Sequence, residues 1–242
     1  ALNCPVTDLS YDQEHGGGIL VKTEDMDLYC ENLVNAAGLF SAQLAAKLVK
    51  KQPKSQQQQK RNFIPRHYFA KGNYFRLEGQ RTPFSHLIYP VPEPGGLGVH
   101  ATLDLNGHCR FGPDVQWIPV ATDNNVVDDE CMGDNNPDEI DLNVDPHRAD
   151  VFYEQVRRYW PGLKDGSLAP DYAGVRPKVH HPDLLRDADG GASLGFADFM
   201  VQGPQEHGMA GVVHLIGMES PGLTSCLAVS ELVADKLLLQ GS

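Results

Sequence analysis

The stretch that decides the fold is residues 214–238, HLIGMESPGLTSCLAVSELVADKLL. A short apolar run ends at Gly217, a turn signal follows at Ser220-Pro221-Gly222, and a long apolar pattern of helical period completes the stretch. Serine is a favoured N-cap and proline a favoured first helical residue. The pattern therefore predicts a strand, a turn and a helix that begins at Pro221.

The start of this predicted helix is a candidate anion site. Gly217 and Gly222 have no side chain, so the backbone could approach a flat or anionic ligand closely. The amides of Gly222, Leu223 and Thr224 would point out of the helix with the positive end of its dipole behind them. A well-capped buried helix with no ligand would show the same residues, and this alternative stays open.

A second strand-to-helix turn lies near the other end of the chain, in LVNAAGLFSAQLAAKL. Ala36, Ala37 and Gly38 leave this turn almost without side chains, which allows a ligand phosphate or sugar to come close. Tight packing of the strand on the helix is the alternative explanation.

Between these two units the pattern is different. Residues 68–111 read as antiparallel strands separated by Gly, Pro and Asn turns, and one of these strands is predicted at 85–93. Residues 145–162 predict a helix with Asp145 as N-cap and Pro146 at its first position. The expected fold class is therefore α+β, a mixed α/β chain with an antiparallel sheet in the middle.

Composition excludes several functions. The formal charge of the 242 residues is −12, which argues against a nucleic-acid partner because phosphate binding needs clustered Lys and Arg. The 5 cysteines have no CxxC spacing, so we predict no metal site and no disulfide framework, and a reducing intracellular compartment. No run of residues has the length and apolar character of a membrane span.

Three strand segments contain candidate site residues. In GVHATLD a period of two puts His100 and Thr102 on one face, which could line a pocket or be the solvated face of a sheet. In AGVRPK, Arg176 interrupts an apolar strand and could clamp a carboxylate with its planar fork or be a surface cation. KGNYF adds Lys71 and Tyr74, which an ordinary strand would also contain.

An ordered series of motifs now indicates a family. LVNAAGLFSAQLA, KGNYFRL, HLIYPVPEPGGLGVHATLDLNGHCRFGPD, YAGVRPK, DFMVQGP and GMESPGLTSCLA follow one another along the chain. The series resembles the FAD-dependent oxidoreductases of the D-amino-acid oxidase superfamily, and within it most resembles the L-2-hydroxyglutarate dehydrogenases and their relatives. The resemblance extends over residues 17–239.

The resemblance implies a two-part architecture. Residues 62–195 would form an antiparallel substrate-binding domain, and residues 1–61 and 196–242 would be parts of a Rossmann-like FAD-binding domain. Members of the superfamily hold the ADP half of FAD at a GxGxxG turn, and this sequence contains no such turn. We therefore expect the chain to correspond to the C-terminal part of such an enzyme, to bind FAD weakly by itself and to be inactive alone.

The resemblance also implies roles for individual residues. Arg176 would bind the substrate carboxylate, and His100 would accept the hydroxyl proton, for which an imidazole is suited. The family often has Arg where this chain has Lys71, a difference that bears on substrate choice. The remaining candidates are Lys71, Tyr74, Tyr89, Thr102 and Ser220 for the substrate, and Ala36, Ala37, Gly38, Gly217, Glu219, Gly222, Leu223 and Thr224 for the cofactor.

The implied reaction is the oxidation of an L-2-hydroxy acid, with hydride transfer to FAD, and the implied substrate is L-2-hydroxyglutarate, which would become 2-oxoglutarate. The electron acceptor that reoxidises the flavin is left open. An amine-oxidising flavoprotein of the amino-acid or sarcosine oxidase type is one alternative, and a non-catalytic fragment without flavin is another. By resemblance, the location would be mitochondrial in a eukaryote and cytoplasmic otherwise.

Overall fold

The structure is a computed structural model, and it describes residues 1–12, 18–50, 64–91, 98–119, 136–181 and 198–238. The strands are β1 Asp8–Asp12, β2 Gly18–Lys22, β3 Asp27–Cys30, β4 Leu33–Asn35, β5 Tyr68–Leu77, β6 His100–Leu103, β7 Cys109–Gly112, β8 Gln116–Trp117, β9 Leu168–Lys178, β10 Met200–Gln202 and β11 Val212–Ile216. The α-helices are α1 Ser41–Lys50, α2 Ala149–Arg157, α3 Pro204–His207 and α4 Cys226–Leu238. Three 3₁₀ turns lie at Gly38–Phe40, Pro137–Glu139 and Pro146–Arg148.

Two small sheets are formed by the ends of the chain. Strands β1, β2 and β3 form an antiparallel meander. Strands β10, β11 and β4 form a second sheet in that order, in which β11 runs parallel to β4 and antiparallel to β10. Helix α1 packs against both sheets through Ala45 and Leu48. These two residues belong to a buried cluster that also contains Leu9 of β1, Ile19 of β2 and Val212 of β11.

The third sheet has five strands and is built around β5. Strands β7 and β8 pair with one edge of β5, β9 pairs with the other edge, and β6 extends the sheet beyond β7. Every pairing in this sheet is antiparallel. The sequence prediction of a mixed α/β chain with an antiparallel middle is confirmed.

Helix α2 covers one face of the five-stranded sheet. Phe75, Phe111 and Phe152 are fully buried there, and the rings of Phe75 and Phe152 lie 4.6 Å apart between centroids. The helix is anchored at its start, where the Arg148 Nε donates to Asp114 Oδ2 at 2.7 Å. The opposite face of the sheet is thereby left for other contacts.

The structure corrects two predicted elements. Residues 85–91 of the strand predicted at 85–93 form only a single bridge, Ile88 with Ala101, and residues 92 and 93 lie outside the described ranges. The last helix begins at Cys226 rather than at Pro221, and residues 220–225 form turns. The start of the middle helix agrees with its prediction, since the Asp145 side chain accepts from His147 N at the head of a 3₁₀ turn that leads into α2.

The predicted domain boundaries, 61/62 and 195/196, both lie outside the described residues, so they remain predictions. Within the described ranges, no helix has both the length and the apolar character that crossing a bilayer requires.

We expect the replacement Phe152→Ala to lower the free energy of unfolding by about 3–5 kcal/mol, because it empties the space between α2 and the sheet. Urea unfolding followed by fluorescence measures this change. Val151→Ala on the same helix is the control, because Val151 is 47% exposed and its truncation should stay within about 0.5 kcal/mol. Equal losses in the two variants would contradict the assigned core.

Candidate active site

Two of the predicted cofactor turns meet at one edge of the β10–β11–β4 sheet. Because β4 and β11 are parallel, with His214 opposite Asn35, the chain leaves both strands in the same direction. Ala36, Ala37 and Gly38 follow β4, and Gly217 follows β11. The carboxyl edge of parallel strands is the usual place for a ligand in open α/β sheets.

Backbone conformation explains the glycines of this edge. Gly38 and Gly217 have φ of 56° and 71°, a region that favours glycine. A Cβ at Gly38 would meet no atom within 4 Å, so the backbone there borders open space. A Cβ at Gly217 would lie 2.7 Å from Val179 Cγ1, so the loop after β11 packs closely against the residue that follows β9.

A buried polar network holds the first turn in shape. The Asn35 side-chain amide donates to the Ser41 carbonyl at 2.7 Å and lies 3.1 Å from His214 Nδ1. Its oxygen accepts from the Ala37 amide at 3.3 Å, which fixes the side-chain orientation. The Nδ1 atom of His214 must therefore be the acceptor, and the ring is neutral. Burial, with a smaller contribution from His207, lowers the pKa of His214 to about 3.

The loop that follows Gly217 differs from its predicted form. The Gly222 amide donates to the Glu219 carbonyl at 2.5 Å, so this amide does not point to a ligand as predicted. Ser220 is exposed and is not the N-cap of α4, since that helix starts at Cys226. The amides of Leu223 and Thr224 have no hydrogen-bond partner among the described residues, and both residues are exposed.

The substrate-side candidates lie on the face of the five-stranded sheet that α2 does not cover. The register pairs Arg176 with Ala70 and Gly174 with Gly72, so these residues share a face. Tyr74 of β5 stacks on Tyr172 of β9, with ring centroids 4.4 Å apart and an interplanar angle of 13°. Burial raises the pKa of Tyr74, and the Tyr172 phenol adds to this effect, while the Arg176 guanidinium acts in the opposite direction.

His100 extends this face across the sheet. His100 pairs with Gly112 of β7, where a Cβ would lie 2.6 Å from Tyr74 Cδ1, so the Tyr74 ring fills the space above Gly112. Tyr89 covers His100 with its ring, at 4.1 Å between centroids. His100 is only 7% exposed, which does not fit the alternative that its face is solvated. Thr102 is on the same face, and its hydroxyl donates to the Arg110 carbonyl at 3.4 Å.

Lys71 does not join the group. It lies one residue away from the Ala70 and Gly72 positions, so its side chain points to the opposite face, the one covered by α2. Its ammonium donates to the carbonyls of Asp141 and Asn143 at 2.7 and 2.6 Å. These contacts connect the segment before α2 to the sheet. They also satisfy the buried ammonium of Lys71, so its burial does not require a bound substrate.

Sequence reasoning missed two residues of the site, Tyr172 and Lys178. Both lie on β9 on the same face as Arg176, and Lys178 Nζ donates to Glu219 Oε1 at 2.5 Å. The signal was present in the sequence, since a period of two in DYAGVRPK puts positions 172, 174, 176 and 178 on one face. Glu219 was predicted as a cofactor residue, and the structure places its carboxylate between the two cations.

The amino-acid sequence matches a known protein family. The family model described as FAD dependent oxidoreductase (DAO) matches residues 1–236. The chain therefore belongs to the DAO family of FAD-dependent oxidoreductases, and the resemblance read from the motifs is confirmed.

Particular relatives are the mitochondrial L-2-hydroxyglutarate dehydrogenases of two eukaryotes. The chain is 42% identical over 216 residues to that of Arabidopsis thaliana, covering 88% of this chain and 39% of the relative. It is 25% identical over 224 residues to that of Nematostella vectensis, covering 86% of this chain and 45% of the relative. The chain thus spans less than half the length of these curated relatives.

Among solved structures, the dithionite-reduced L-α-glycerophosphate oxidase of Mycoplasma pneumoniae with FAD bound has a similar fold. The TM-score is 0.66 at 20% identity, and the match covers 97% of this chain and 50% of that chain. Such a likeness supports the fold alone.

The buried His214 makes stability depend on pH. Its pKa falls from 6.5 in the unfolded chain to about 3 in the fold, so only the unfolded chain binds the proton between these values. We expect the free energy of unfolding to fall as the pH drops below 6.5, with a slope for this proton that approaches about 1.4 kcal/mol per pH unit.

Urea unfolding at a series of pH values from neutral downwards measures this slope. His214→Gln should remove the part of the slope due to this proton, whereas His86→Gln, at an exposed position, should retain it. An unchanged slope in His214→Gln would show that His214 is not the neutral buried group.

Proposed function

We propose that the intact protein is an FAD-dependent oxidoreductase that oxidises an L-2-hydroxy acid, and that L-2-hydroxyglutarate is converted to 2-oxoglutarate. The observation that carries the proposal is the sheet face on which Arg176, Tyr74 and His100 lie together, next to the loop after Gly217. A half-buried guanidinium, a phenol and an imidazole are the groups that hold a carboxylate and take a hydroxyl proton. The names of the two dehydrogenase relatives support the choice of substrate.

We assign the isoalloxazine ring of FAD to the edge where β4 and β11 end, which we call the cofactor edge. The turn at Ala36, Ala37 and Gly38 has only small side chains, and its backbone borders open space at Gly38. The amides of Leu223 and Thr224, which have no hydrogen-bond partner within the described part of the chain, could donate to a polar ring edge. We assign these residues, with Gly217, to holding the flavin, and Gly222 to shaping the loop through its bond to Glu219. When bound, FAD supplies the two-electron oxidation by accepting the hydride.

Arg176 and Tyr74 would orient the substrate. The planar fork of Arg176 can make two parallel hydrogen bonds to one carboxylate, which sets the direction of the neighbouring carbon. The Tyr74 phenol stays protonated because its pKa is raised, so it can donate a further bond. Tyr89, which covers His100, and Thr102, on the same face, would line the pocket. The Lys71 ammonium lies on the other side of the sheet, and Ser220, which adjoins Glu219, stays a prediction as a substrate residue.

His100 would act on the hydroxyl. A neutral imidazole nitrogen would accept the hydroxyl proton, and the oxygen's electron pair would then be available to form the carbonyl of the 2-oxo acid. Burial beneath Tyr89 limits water around the ring. For a eukaryotic source we also propose a mitochondrial location, on the basis of the relatives' names.

Replacing Arg176 by Lys in the intact protein should raise the KM for L-2-hydroxyglutarate by at least about tenfold, because a point charge cannot replace the bidentate fork. FAD affinity should not change. Steady-state kinetics and flavin fluorescence measure the two quantities. Arg158→Lys is the matched control, because Arg158 is exposed just after α2, where it pairs with Glu154 on the surface. An unchanged KM in Arg176→Lys would remove the carboxylate role.

His100→Ala should slow flavin reduction by L-2-hydroxyglutarate by about 10²–10⁴-fold with folding intact, since it removes the general base. Stopped-flow absorbance measures this rate. The same measurement on the wild-type protein with L-glutamate in place of L-2-hydroxyglutarate tests the alternative that the protein oxidises an amine. His147→Ala, at an exposed position before α2, should react at the wild-type rate. A change smaller than about threefold in His100→Ala, far below the general-base range, would contradict the assignment.

A further inference from the structure

Three charged side chains meet where β9 approaches the loop after Gly217. Lys178 Nζ is 2.5 Å from Glu219 Oε1, whereas Arg176 Nη1 is 4.0 Å from Glu219 Oε2. The side chains of Lys178 and Glu219 are 19% and 17% exposed, so the pair is largely removed from water. The first contact is a charge-assisted hydrogen bond, and the second is too long to be one.

The backbone holds the Glu219 carboxylate within reach of both cations. Gly217 packs against Val179. Glu219 lies two residues after Gly217, and Lys178 lies one residue before Val179, so this contact brings their backbones close together. The bond from the Gly222 amide to the Glu219 carbonyl closes the turn around Glu219. The carboxylate can therefore pair with Lys178 or with Arg176 without any rearrangement of the strand.

We propose that Lys178 is a positioning residue, which binds the Glu219 carboxylate and so keeps the Arg176 fork free for the carboxylate of a substrate. The proposal rests on the proposed function for the role of Arg176. Without Lys178, Glu219 would be a largely buried and unpaired anion, and such a charge takes the nearest available cation. That cation is Arg176, so Glu219 would become an internal competitor of the substrate.

This proposal predicts an unusual pattern among variants. In the FAD-loaded intact protein, Lys178→Met should weaken the binding of glutarate, a dicarboxylate that cannot be oxidised at a hydroxyl, by at least about tenfold, the value of one charge-assisted bond. Glu219→Gln alone should change binding little, because Arg176 stays free. The double variant Lys178→Met/Glu219→Gln should return to near the wild-type affinity, since the competing anion is gone.

Perturbation of the flavin absorbance by glutarate measures the four dissociation constants, and thermal unfolding checks that each variant is folded. Lys178→Arg is the conservative control, which should retain the wild-type affinity. A role in stability alone would leave the double variant at least as weak as Lys178→Met. That result would overturn the proposal.

A second measurement requires no substrate. Phenylglyoxal modifies free guanidinium groups, and mass spectrometry of the peptide that contains Arg176 gives its rate of modification. This rate should fall in Lys178→Met and recover in the double variant; equal rates in all four proteins would overturn the proposal. If wild-type protein does not bind glutarate, the proposed substrate class is wrong, and the phenylglyoxal rates still decide the role of Lys178.

Discussion

Strands β5 and β9 pair in antiparallel register from Tyr68 opposite Lys178 to Leu77 opposite Leu168, with one irregularity between Asn73 and Phe75. Because side chains alternate along a strand, this pairing gives the sheet two faces that make different contacts. One face packs its aromatic rings under α2 and excludes water from the core. The other face presents the phenols and the guanidinium as a rigid row, so the precision of the site depends on the packing behind it.

A second pairing makes the cofactor edge from segments that are far apart in the chain. Strands β4 and β11 are parallel, which brings the turn after Asn35 beside the loop after Ile216. Parallel pairing requires a long connection between the strands, and here the connection contains α1, the five-stranded sheet, α2 and β10. The edge where β4 and β11 end is therefore linked to the five-stranded sheet by topology, and Gly217, which lies against Val179 just after β9, is a point of contact between them.

The charges of Arg176, Lys178 and Glu219 in the candidate site cancel only in part. Two cations and one carboxylate leave a net single positive charge, which suits one bound carboxylate. The two distances distinguish the cations, since Glu219 pairs closely with Lys178 and only distantly with Arg176. In the proposed role of Lys178, this lysine keeps Arg176 available without touching it, through the carboxylate that lies between them.

The sequence by itself determined most of the element types, the family and the two strands that contain His100 and Arg176, because periodicity and turn residues are local properties of a chain. It did not determine which face of each strand looks toward α2, because alternation defines two faces and only partners distant in sequence distinguish them. Lys71 therefore appeared to be a site residue, although its ammonium binds backbone carbonyls on the core side. Tertiary structure also decided the start of α4 at Cys226 and the pairing of Lys178 with Glu219. Both depend on how the loop after Gly217 folds against β9, and that contact joins residues some forty positions apart.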